Sequence, residues 1–196
     1  TGVQTCALPI SLDIAELSTA QIGGVESTTI DDLTTTQIAG LSTSQVSSLT
    51  ATQIGVFTTT ELQDLTTAQL AALTATQLGS VTTTVLNNLT AAQVTALTST
   101  QFYGLSAAQI DGLSTTNLNA VDAGDFSTTQ LSNLVGATLD NLTTTQVADL
   151  SSTQVGSLTV AQLDGLSTTN LQAIDAGDFS TAQIGGVEST TIDDLT

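Results

Sequence analysis

The chain has 196 residues, 40% hydrophobic but only 3% aromatic, which is one ordinary domain's length with aliphatic material for a long, thin interior and not a compact globule. With 18 Asp plus Glu and no Lys, Arg or His, its net charge of −18 makes nucleic acid a poor partner and excludes a basic patch for anionic lipid. The same composition excludes His-based catalytic triads and His-containing zinc sites.

Residues 1–10 contain the only Cys, Cys6, and the only Pro, Pro9, and match nothing downstream. They resemble the in-frame translation of a widely used short-read sequencing adapter. The segment is expected to be an assembly scar on a metagenomic fragment with no fold of its own, so Cys6 carries no redox or catalytic reading. No run reaches the roughly 18 apolar residues of a membrane span. The N-terminus lacks the basic and apolar regions of a secretory signal peptide.

Residues 11–196 read as a single tandem array. From Leu17 an eight-residue unit, L-[ST]-x-x-Q-[IVL]-x-x, runs in phase through thirteen octads to Val121. In the octad that starts at Leu33, Thr34 stands three residues before Gln37, and Leu33 and Ile38 flank the pair. That is a capping box inside a hydrophobic staple. The Thr34 hydroxyl accepts from the Gln37 backbone N–H, the Gln37 side chain reaches back to the Thr34 N–H, and Leu33 at N′ packs on Ile38 at N4. The next Leu follows three residues after Ile38, so each helical piece has room for about one and a half turns.

At 121–125, Val121-Asp-Ala-Gly-Asp125, the spacing drops to five, and Phe126 begins a new series. The step recurs at 174–178 before Phe179, and 12–16 is a third copy of the pattern. Asp175 is expected to cap a turn whose N4 residue, Phe179, also serves the next unit, which removes three residues and turns the path sharply. Segments 112–130 and 165–183 align with three differences, and 18–34 is identical to 180–196. Both ends are accordingly expected to be cut from a longer array.

A continuous amphipathic helix fails, because spacings of five and three rotate the apolar positions by about 80° per octad. A flat strand fails too, since positions five apart point to opposite faces. The capping chemistry therefore predicts an all-α solenoid of very short capped helices, one per octad. Abundant Thr, Val and Ile keep a β-solenoid as the alternative. A lone octad buries too little to fold, so stability must come from stacked neighbours.

Ser and Thr are plentiful, but with no His or Lys as base they read as caps and solvated surface; no catalytic residue is expected. The densest acidic spots are Asp122/Asp125, Asp175/Asp178, Asp31/Asp32 and Asp193/Asp194. Asp-Ala-Gly-Asp lacks both the ligand spacing of an EF-hand and the glycine-rich nonapeptide of calcium-binding β-rolls. The caps are favoured over calcium, and no metal or other cofactor is expected. Gly23/Gly24, Gly104 and Gly185/Gly186 fall at the last octad positions and are expected to be left-handed corners that end helices. The sequons at Asn88 and Asn141 follow from the repeat.

Octads such as Leu65-Thr-Thr-Ala-Gln69-Leu70-Ala-Ala72 resemble the octapeptide tandem repeats of large secreted bacterial surface proteins of the adhesin-like, RTX-associated kind. The resemblance covers residues 12–196. It implies an extracellular or cell-surface location, a non-catalytic spacer or stalk, and flanking domains as partners. The alternative is a binding module whose Thr rows, Thr34–Thr36, Thr58–Thr60 and Thr143–Thr145, form a face for glycan, ice or protein.

Overall fold

The computed structural model describes residues 14–194. Residues 1–10 with Cys6, and Leu12 and Asp13 of the first five-residue step, lie outside the described residues. Among the described residues the chain forms a run of short α-helices, each four to six residues long, with three 3₁₀ turns and no strand. This is the all-helical solenoid that the capping pattern predicts, one helix per octad, and the β-solenoid is excluded.

Each helix starts as the octad dictates. Thr34 is extended at φ −73°, ψ 154°, its hydroxyl accepts from the Gln37 N–H, and the Gln37 side chain accepts from the Thr34 N–H at 2.9 Å. The same box opens most of the helices, for example at Ser42, Thr66, Thr98 and Thr159. At the other end the helix tightens into an i→i+3 bond from the next anchor, as from Leu41 N–H to the Ile38 carbonyl at 3.1 Å. The anchor then returns to extended backbone and becomes N′ of the next cap, as Leu49 does.

This mode of termination corrects the expectation of left-handed corners. No described residue, glycine included, has a positive φ. Gly24, Gly40 and Gly112 end their helices in the right-handed region. With an octad so short, a tightened right-handed turn already points the chain toward the next cap, and a left-handed residue is not needed.

Most of the described helices pack on the element three places later. Thr19–Gly23 lies against Thr43–Ser48, which lies against Thr67–Ala71, then Ala91–Thr95, then Thr115–Leu118. One turn of the solenoid therefore holds three octads, and the helices stack in three columns. The five-residue steps keep this count. The 3₁₀ turn Ala123–Asp125 stacks on Ser99–Phe102, and Ala176–Asp178 stacks on Ser152–Val155. Each step thus forms one shortened side of a coil, capped by the expected Asp: Asp122 accepts from the Gly124 N–H at 2.9 Å, Asp175 from the Gly177 N–H at 2.8 Å. The array continues through both without losing its columns.

The two aliphatic positions of the octads line one continuous core. Ile22, Ile38, Ile54, Leu62, Leu70 and Leu78 are fully buried, and the anchors from Leu41 to Leu105 are nearly so. At the first shortened side, Phe126 packs edge-on against Phe102, with ring centroids 5.3 Å apart and planes at 86°.

Some glycines are required by the approach of one coil to the next. A Cβ on Gly104 would fall 2.3 Å from the Ala75 carbonyl oxygen and 2.9 Å from its Cα, and one on Gly79 would fall 2.5 Å from the Gly104 oxygen. Gly185, inside a helix, meets nothing within 4 Å. In chemical denaturation, Gly104→Ala should cost about 2 kcal/mol or more by forcing two backbones apart. Gly185→Ala should instead stabilise by roughly 0.5–1 kcal/mol, as for an unhindered helical site.

Candidate functional site

The most elaborate chemistry in the molecule is the Gln of the octad, whose amide serves two coils at once. In Gln101 the carbonyl end, Oε1, accepts from the Thr98 N–H at 2.9 Å and closes the capping box. The amino end, Nε2, donates to the backbone carbonyls of Leu70 and Leu73 at 2.7 Å each. Those are the second aliphatic and the anchor 31 and 28 residues earlier, on the coil beneath. Gln69, Gln77, Gln93, Gln109, Gln154 and Gln162 repeat the arrangement with one or both acceptors. Across a shortened side the anchor offset falls to 25, as from Gln130 to Leu105, Gln146 to Val121 and Gln183 to Leu158. Most of these side chains are buried; Gln53 is 1% exposed and Gln101 3%.

The octad pattern makes only the capping half of the Gln role legible. The signal for the other half is the residue type itself. A carboxylate satisfies a capping box equally well and is favoured by the helix dipole. Gln at most of these positions, with Glu only at Glu61, therefore marks a position that also needs a donor.

Where the octad departs from Gln, neighbouring polar groups take over. Asn117 and Asn170 are one methylene too short to reach back to their own caps. The Ser114 N–H is accepted by Asn87 Oδ1 at 2.6 Å and the Ser167 N–H by Asp140 Oδ1 at 2.7 Å, both from the coil below. The Asn170 amide donates to the Asp140 and Leu142 carbonyls. Val135 and Glu188 have no hydroxyl to cap with. Their N–H groups are met by the carboxylates of Asp111 at 3.1 Å and Asp164 at 3.0 Å. No buried side-chain polar atom among the described residues is left without a partner.

Val85 brings no polar side chain to its Gln position, and Glu61 brings no donor to its own. Glu61 is 4% exposed, and its carboxylate accepts from the Thr58 N–H at 2.7 Å. A carboxylate has no amide to offer the coil beneath.

The acidic pairs singled out from the sequence are dispersed. Asp122 is an exposed turn cap, and with Asp125 it borders a shallow depression beside Thr95 and Ala120. Asp175 plays the same part in the second step, while Asp31 and Asp32 are exposed at a helix end. Among the described residues no group of three or more His, Cys, Asp or Glu is placed to hold a metal ion. No described helix is long and apolar enough to cross a membrane. Asn88 and Asn141 are exposed. The Thr rows are mainly exposed: Thr36, Thr60 and Thr84 project from three helices stacked in one column, whereas Thr143–Thr145 lie in another. No protein-family model, curated protein or solved structure matches the chain.

The Asp140 carboxyl is shifted from its ordinary value. Burial, the largest influence, acts to raise it. Hydrogen bonds from the Ser167 hydroxyl, the Ser167 backbone N–H and the Asn170 amide together outweigh burial and hold it below its ordinary value of 3.8. A carboxyl depressed by folding stabilises the fold above its unfolded pKa, and this contribution is lost as pH falls through the folded value. Asp140→Asn, which places at this site the residue type of Asn87, should therefore flatten the acid side of the stability–pH curve below about pH 4. It should change stability little at pH 7. Glu61→Gln should raise stability at pH 7 by roughly 1–2 kcal/mol in denaturant titrations, because it restores the donor to the coil beneath.

Proposed function

We propose that the array is a non-catalytic structural segment, a stiff spacer or stalk of a large bacterial secreted or surface protein, located outside the cell and presenting the domains that flank it. The observation that carries this reading is the consumption of side-chain chemistry by the scaffold. Ser and Thr hydroxyls cap helices, Gln amides join box to coil, and Asp111, Asp140 and Asp164 cap the coil above. A side chain committed to holding its neighbour is not free to act on a substrate. The resemblance of the octads to repeats of adhesin-like bacterial proteins supports the location, and the high negative charge favours solubility.

A stiff stalk lengthens in proportion to its repeats. Small-angle scattering on arrays carrying added groups of three octads should show a maximum dimension that rises linearly with each group. Growth with only the square root of added length is the behaviour of a flexible linker and contradicts the proposal.

The second reading, a hydroxyl face for glycan or ice, rests on Thr36, Thr60 and Thr84, exposed on successive coils of one column. A thermal-hysteresis or glycan-array signal lost on replacing these three by Ala would favour it over the stalk.

A further inference from the structure

We propose that Glu61 and the end of the helix Ser27–Asp31, on the coil beneath it, form a site for one calcium-sized cation. Glu61 closes its capping box as the neighbouring Gln53 does. Its Oε2 accepts from the Thr58 N–H at 2.7 Å, just as Gln53 Oε1 accepts from the Thr50 N–H at 2.7 Å. A carboxylate and an amide are both planar and nearly equal in size, so Oε1 of Glu61 takes the place that Nε2 has in Gln53. That Nε2 donates to the Ile22 and Val25 carbonyls, 31 and 28 residues earlier. The same offsets from Glu61 lead to the carbonyls of Ile30 and Leu33.

The joint thus gathers three oxygens where its neighbours have an N–H donor. Glu61 Oε1 makes no hydrogen bond with a described residue, although the side chain is only 4% exposed. Every fully buried side-chain polar atom among the described residues has a partner, so Oε1 still touches solvent, which gives an ion a way in. No described donor reaches the Leu33 carbonyl, and the Ile30 carbonyl, which accepts the Leu33 N–H at 3.1 Å, has a second lone pair to give. Asp31 and Asp32 end the same helix and make the local field negative. The chain has no Lys, Arg or His, so the charge that compensates a buried carboxylate must come from solution. One carboxylate oxygen and backbone carbonyls, completed by water, suit calcium, which accepts irregular oxygen shells at about 2.3–2.6 Å. Magnesium demands a tighter octahedron and keeps its own waters, so it fits fixed carbonyls less well. The site is separate from the exposed Asp122/Asp125 and Asp175/Asp178 pairs, and it does not depend on the array acting as a stalk.

Thermal unfolding of the full chain at pH 7, first in chelator and then with millimolar calcium at constant ionic strength, tests the assignment. Calcium should raise the midpoint of the parent by about 4 °C or more, and magnesium by clearly less. Glu61→Gln, which supplies its own donor, should be the more stable protein in chelator and should lose most of the calcium response. Asp149→Asn, which removes an exposed carboxylate at another helix end, should keep it. Gln101→Glu builds the same oxygen set against Leu70 and Leu73, and calcium should restore part of the stability that this variant loses. Equal calcium shifts in the parent and Glu61→Gln overturn the proposal, as does a Gln101→Glu variant that gains no more from calcium than the parent loses with Glu61→Gln in place. No shift in the parent overturns it too. If mild acid then stabilises the parent but not Glu61→Gln, a proton and not a metal ion fills the place.

Discussion

A side-chain amide present in most octads holds the solenoid together along its axis. Helices of four to six residues cannot persist alone, since nucleation is costly and nearly every backbone group is an end group. The Gln amide answers both demands. Its oxygen completes the N-terminal cap of its own helix, and its nitrogen satisfies the Leu73 carbonyl of the coil beneath and adds a second donor to the Leu70 carbonyl, which already accepts the Leu73 N–H. Burial makes the arrangement mandatory, because a buried carbonyl deprived of its donor costs about 1–3 kcal/mol. The aliphatic core sets how much is gained by stacking, and the amides set the register and polarity in which it happens.

The departures from the repeat obey the same constraint. Where Asn is too short, Asn87 or Asp140 of the lower coil accepts the cap N–H. Where the cap residue has no hydroxyl, Asp111 or Asp164 does so. These pairs join the end of one helix to the start of the helix four elements later, which couples residues 24 or 27 positions apart in sequence. They explain part of the acidic composition that looks featureless in one dimension. Three of the carboxylates, Asp111, Asp140 and Asp164, end a helix below and accept the cap N–H of a helix above.

Much of the fold is legible in the octad. Thr34, Gln37, Leu33 and Ile38 specify a cap, a box and a staple, and together they exclude a long helix and a strand. Three properties were not legible. The number of octads per coil depends on where the Gln nitrogen goes, and no local pattern around Gln101 reveals that its acceptors are Leu70 and Leu73. The glycines were read as left-handed corners because that is their common use, whereas Gly104 is required by the closeness of Ala75 on the neighbouring coil. The five-residue steps were legible as Asp-capped turns, but not as complete sides of a coil, since that follows only from their stacking on Ser99–Phe102 and Ser152–Val155.

The central claim is that the amide joins two coils and is not only a cap. Gln101→Glu separates these roles, because a carboxylate still accepts the Thr98 N–H while it can no longer donate to Leu70 and Leu73. The unfolding free energy of this variant at pH 7 is the most direct measurement. A loss of roughly 2–4 kcal/mol is predicted, from the Leu73 carbonyl deprived of its donor and the Leu70 carbonyl reduced to one, both opposite a buried charge. A variant within about 0.5 kcal/mol of the parent, the range of an inconsequential surface change, would contradict the account.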